Sequence, residues 1–194
     1  MKRAQAMLIL LTAAIALSGC AAITGQLFME DPLTAEEHNN LGVIYEREGK
    51  YDLALREYSK AIKSDPELVT PLVNKANVYF KLGEYTNAEK YYKKALSKDE
   101  RNLEAANNLA SLYIETSEGY EEALGYMERA TEGVDETAPY ALDTMGVLYI
   151  KTGNQEKGEE LLLRACESDN ISEETLTEVK EHLGEIGGTC PPSI

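Results

Sequence analysis

The sequence has no tryptophan and only two phenylalanines, so its aromatic packing rests on twelve tyrosines. Histidine occurs twice and cysteine three times. His38 and His182 lie far apart in the chain, and no His/Cys cluster shows the spacing of a metal site. A Gly-rich phosphate loop and a nucleophile elbow are also missing. Without a convergent set of reactive groups, the chain is expected to be non-catalytic and to need no cofactor. Positive charge is scarce too: 19 Lys and Arg stand against 34 Asp and Glu, a formal charge of -15. A phosphate backbone repels such a chain, which argues against a nucleic-acid partner. Abundant Glu on helices reads as a solvated face, or as a face for a basic partner.

A long apolar run is lacking as well. Met7 to Leu17 is too short to span a bilayer as a permanent helix. With the basic head Met1-Lys2-Arg3 before it, the run reads as an export signal. Leu17-Ser18-Gly19-Cys20 follows and resembles the lipobox of bacterial lipoproteins. That resemblance implies removal of residues 1–19, lipidation of Cys20 and a membrane attachment through its acyl chains, each buried methylene contributing about 0.8 kcal/mol. Ala21 and Ala22 after the Cys imply the outer membrane, facing the periplasm. Residues 20–33 are then a lipidated tether, and loss of Lys2 and Arg3 leaves 17 basic against 34 acidic residues, or -17.

What is abundant is repetition. Leu41-Gly42-x-x-Tyr45, Gly49-x-Tyr51-x-x-Ala54, Tyr58-x-x-Ala61 and Asp65-Pro66 occur once, and 34 residues on Ala76-x-x-Tyr79, Gly83-x-Tyr85-x-x-Ala88 and Tyr92-x-x-Ala95 return. A period of this length marks a stacking helix pair. The motif resembles the tetratricopeptide repeat (TPR) family, which implies an all-α, right-handed superhelical solenoid of four helix-turn-helix repeats plus a C-terminal capping helix. The repeats are expected at residues 35–68, 69–102, 103–138 and 139–171, the cap at 172–187 and a tail at 188–194. Thr34 and Glu37 have the spacing of a capping box, and Thr70 is expected to cap the third helix with Pro71 in its first turn. Repeat 3 runs two residues long, one in the turn around Ser117-Glu118-Gly119 and one near Val134 to Ala138. Gly158 replaces the Ala of the other repeats, so its helix should lose about 1 kcal/mol of intrinsic stability. His38 falls where these repeats carry a large apolar residue and is expected to pack.

TPR proteins act as binding scaffolds, so the resemblance implies a protein or peptide partner in the concave groove lined by the first helices. Asn40, Asn74 and Asn108 recur at 34-residue spacing there, and in some relatives an asparagine at this place bonds the backbone of an extended peptide. An amide supplies both a donor and an acceptor for such a bond. Thr144 breaks the ladder in repeat 4. Asn39, Val43, Asn77, Phe80, Asn107, Ser111, Ile114, Asp143, Val147 and Ile150 are the other residues that the family pattern places on this face. Lysines that would clamp a carboxyl terminus are not at the matching places. The expected role is an envelope-anchored assembly factor or adaptor for pili, secretion or outer-membrane machinery; the alternative is an accessory subunit of a cell-envelope hydrolase. Cys166 and Cys190 remain after the anchor, either as free thiols or as a bridge. Such a bridge would close about 25 residues and contribute roughly 3 kcal/mol in the chain-entropy model.

Overall fold

Nine helices follow one another in the computed structural model, which describes residues 31–134 and 137–191, and among these residues there is no strand. Ala35–Ile194 form one compact unit. The export signal, Cys20 and the tether up to residue 30 lie outside the described residues, as do positions 135 and 136 of the second insertion and the last three residues. No helix of the described residues is long and apolar enough to cross a membrane.

The helices are α1 (Ala35–Arg47), α2 (Tyr51–Ser64), α3 (Thr70–Lys81), α4 (Tyr85–Lys98), α5 (Leu103–Thr116), α6 (Tyr120–Thr131), α7 (Pro139–Lys151), α8 (Gln155–Cys166) and α9 (Glu173–Glu185). They pair as α1/α2, α3/α4, α5/α6 and α7/α8, each pair stacks on the next, and α9 closes the array against α7 and α8. Contacts confined to neighbours are the mark of a solenoid.

Each second helix buries the same stripe. Ala54 and Ala61, Ala88 and Ala95, and Ala123 and Ala130 are buried on one side of α2, α4 and α6. Between them sits one large side chain, Tyr58, Tyr92 or Met127, with Leu162 at this place in α8, and all four are essentially inaccessible. Small residues bring the paired helices together while the large one fills the gap beside them. At α7/α8 the two backbones approach closely. A Cβ on Gly158 would stand 2.7 Å from the Gly146 carbonyl oxygen and 2.5 Å from Ile150 Cγ1. The expected weak point of α8 is therefore a contact that glycine alone permits.

The turn between paired helices is built the same way four times. Lys50, Glu84, Glu118 and Asn154 donate their backbone N–H to the carbonyls of Tyr45, Tyr79, Tyr113 and Tyr149 at 2.8–3.1 Å. The residue before each donor has a left-handed backbone: Gly49, Gly83 and Gly153, but Ser117 with φ 56° in the third repeat. Gly119, with φ 67°, is then the inserted residue, and it precedes α6 without disturbing either helix.

Between the first three repeats an aspartate shapes the turn. Asp65 Oδ1 accepts from Glu67 N at 2.9 Å, and Asp99 Oδ1 accepts from Arg101 N at 3.1 Å although Glu100 stands where Pro66 did. Asn102, Asn154 and Ser172 cap α5, α8 and α9 with side-chain hydrogen bonds. Thr70 does not cap α3: it is the first helical residue, Val69 precedes it, and Pro71 occupies the first turn, where a missing N–H costs nothing.

Candidate functional site

The first helices carry a row of amides whose partners depend on how repeats stack. Asn74 donates through Nδ2 to Asn39 Oδ1 at 2.9 Å, and Asn108 donates to Asn77 Oδ1 at 2.9 Å. Asn77 Oδ1 also accepts from the hydroxyl of Tyr92 at 2.7 Å. Two of the three ladder residues thus spend a donor on the preceding repeat. Each keeps its Oδ1 and a second N–H, so the ladder is a set of half-used amides. Asn40 is exposed and Asn39 is buried.

A cleft of about 230 Å³ opens beside these amides, lined by Asn77, Phe80, Lys81, Tyr92, Asn108 and Ser111. α3 and α5 supply most of its wall, while Tyr92 reaches through from α4. Phe80 is steadied by Tyr85, whose ring centre lies 5.7 Å away. The cleft therefore offers an aromatic wall, an amide edge and one ammonium. Lys81 Nζ is paired with Glu46 Oε1 at 2.7 Å, and Glu46 Oε2 accepts from Tyr58 at 2.7 Å. Burial and that hydrogen bond raise the Tyr58 hydroxyl well above the usual phenol range. Tyr58 and Tyr92 stay protonated donors at any physiological pH.

Asn107 lies one residue from the cleft. Its Oδ1 is buried with no hydrogen-bond partner among the described residues, and its carbonyl accepts from Ser111 Oγ at 3.0 Å. An orphan acceptor costs about 1–3 kcal/mol. Asp143, expected on the open face of repeat 4, is instead buried beneath α9, with Oδ1 2.8 Å from His182 Nδ1. The pair holds the imidazole pKa above its ordinary 6.5, the hydrogen bond to Asp143 outweighing burial. The capping helix thus covers Asp143 in the fourth repeat.

Several groups escaped the sequence reading. His38 is buried as expected, but it meets the Glu57 carboxylate, with Nδ1 2.6 Å from Oε2. Lys75, which replaces a leucine, is buried among tyrosines. Tyr92 and Glu46 matter through hydroxyl and carboxylate partners that periodicity cannot name. Cys166 and Cys190 are joined in a disulfide with Cα atoms 5.8 Å apart, tying the segment after α9 to the end of α8.

The comparisons agree with this architecture. Residues 35–68 and 71–102 match the tetratricopeptide repeat family model. Among solved structures, the chain is similar to PilF of Pseudomonas aeruginosa at 21% identity and a TM-score of 0.66, covering 78% of this chain and 68% of that one. PilW, described as a type IV pilus biogenesis factor, is similar at 22% identity and 0.65, over 79% and 71% of the two chains. YrrB, described as a TPR protein with an unusual peptide-binding site, is similar at 21% and 0.64, over 86% and 82%. No curated protein matches the sequence. Residues 35–68 and 71–102 are tetratricopeptide repeats, and the chain from Ala35 onward folds as a TPR-like superhelical solenoid.

Proposed function

We infer that this protein is a non-catalytic scaffold that binds an extended segment of a partner protein along its first helices, held at the bacterial envelope by a lipid on Cys20. The observation that carries this is the cleft between α3 and α5, where Asn77 and Asn108 edge an aromatic wall of Phe80 and Tyr92. Asn108 keeps its Oδ1 and a second N–H, and Asn77, whose Oδ1 is spent on Asn108 and Tyr92, keeps its Nδ2 donors, so the pair can match a peptide unit without reading its side chain. The aromatic wall takes one apolar side chain. The likeness to PilW, described as a type IV pilus biogenesis factor, favours an assembly factor for pili, secretion or outer-membrane machinery over the alternative of a hydrolase adaptor.

The test places a photoreactive amino acid at Ser111 of the full chain in cells, with Glu160 on the outer side of α8 as the control position. Crosslinking at Ser111 to an extended segment of one envelope protein, with none at Glu160, is the expected result. Equal adducts at both positions, or adducts only at Glu160, would remove the groove from the binding role. Cys20→Ser tests the anchor separately, since the protein should then leave the membrane fraction.

A further inference from the structure

Charge is spread unevenly along the solenoid. Residues 51–98 hold nine Lys and Arg against six Asp and Glu, whereas residues 99–194 hold six against 22. In a chain of net charge -15, the first two second-helices form a basic island.

The island has a regular geometry. α2 and α4 are each 14 residues long and begin 34 residues apart, so Arg56 and Lys90 share one register and Lys60 and Lys94 another. Four-residue spacing puts both members of a helix on one side. That side faces away from the buried Ala54, Tyr58 and Ala61 of α2 and from Ala88, Tyr92 and Ala95 of α4. All four cations are exposed, and so is Lys63 one turn beyond Lys60. Lys60 is bridged to Glu57 at 3.1 Å. Among the described residues, no carboxylate pairs with Arg56, Lys63, Lys90 or Lys94.

Beneath this face lies a second, independent oddity. Lys75 of α3 is buried, and its ammonium donates to Ser59 Oγ of α2 at 2.7 Å. It also lies 4.6 Å from the centre of the Tyr91 ring of α4 and 5.9 Å from that of Tyr79. Tyrosine faces stabilise a cation in part. Among the described residues, however, no carboxylate neutralises it, so a desolvated positive charge sits between α2 and α4 and adds to the potential outside them.

We propose that this face of α2 and α4 is a docking surface for an anionic phospholipid bilayer. The cations are spread over two parallel registers without a cavity or a convergent set of donors, which suits a plane of diffuse negative charge better than a single phosphate. Each lysine near such a surface contributes about a fivefold gain in binding, or about 1 kcal/mol. The acidic second half is repelled from the same surface, so the charge asymmetry also sets an orientation, with repeats 1 and 2 against lipid and the capped end away. The proposal rests on the anchor reading only for delivery to the membrane.

The full chain, purified in detergent, is reconstituted with vesicles of phosphatidylcholine alone or mixed with phosphatidylglycerol, and acylation of each lysine is read by mass spectrometry. Flotation of the same samples reads the anchor. On the anionic vesicles, labelling of Lys63, Lys90 and Lys94 should slow about fivefold, with Lys151, Lys157 and Lys180 unchanged. Salt at about 0.5 M should erase the difference, because the Debye length falls to roughly 4 Å. An Arg56→Gln, Lys90→Gln, Lys94→Gln variant, changed only at exposed positions, should restore labelling of Lys63. Flotation on both vesicles with equal labelling overturns the surface and leaves the anchor standing. Flotation on anionic vesicles alone supports the surface and removes the anchor, and flotation on neither overturns both. Protection of the same lysines in a lipid-free envelope extract would assign the face to an acidic protein and overturn the proposal.

Discussion

His182 is half of the contact that seats the capping helix, and its chemistry gives that contact a pH dependence. Asp143 faces it from α7, and Glu178 and Glu185 flank it on α9, all favouring the imidazolium. Because the folded pKa is raised above 6.5, the pair stabilises the fold fully below that value and loses its contribution as pH rises through the folded pKa. We expect the imidazole to titrate above 6.5 by NMR. His182→Gln should flatten the fall in unfolding free energy over that window; an unchanged profile would show that the pair is without consequence. At this scale the sequence was a poor guide. It marked Asp143 as groove-facing because its register in repeat 4 matches Asn107 in repeat 3, and register cannot foresee that α9 would lie over it.

At the scale of the helix pair, Gly158 separates two arguments. Helix propensity alone says that Gly158→Ala gains about 1 kcal/mol. The structure says the opposite, since the new methyl would enter the space held by the Gly146 carbonyl and Ile150. Backbone cannot retreat as a flexible side-chain end can, so we expect a net loss of about 1–3 kcal/mol. The denaturant midpoint should fall with an unchanged m-value. The elements themselves were legible from residues. Gly49, Gly83 and Gly153 mark the turns, Pro71 opens α3, and Ala54, Ala61, Ala88 and Ala95 mark the close faces. Asp65 and Asp99 were readable in principle, since Asp recurs at both places while Pro66 gives way to Glu100, and it is the aspartate that makes the hydrogen bond in each turn.

Across the whole molecule, stability passes from neighbour to neighbour, so the ends open first. The Cys166–Cys190 bridge restrains the last end, where α9 buries only Val179 and Leu183 completely. Reduction by a dithiol should therefore raise hydrogen exchange in α9 and the end of α8 while leaving α3 to α5 protected, and should lower stability by roughly 3 kcal/mol. Uniform loss of protection along the chain would show that the array unfolds as one unit and that the bridge acts globally.

The sequence by itself determined the all-α repeat architecture, because a 34-residue period of small and large residues admits one way of burying both helices of each pair. It also placed the amides on the first helices, since spacing along a helix fixes the side on which a residue lies. Tertiary structure decided which of those amides remain open. The pairing of Asn74 with Asn39 and of Asn108 with Asn77, the burial of Asp143 under the cap and the bond of Lys75 to Ser59 all cross from one repeat, or from the cap, to the next. Their partners depend on how far one repeat is rotated against the next, and that rotation is set by packing across the whole interface.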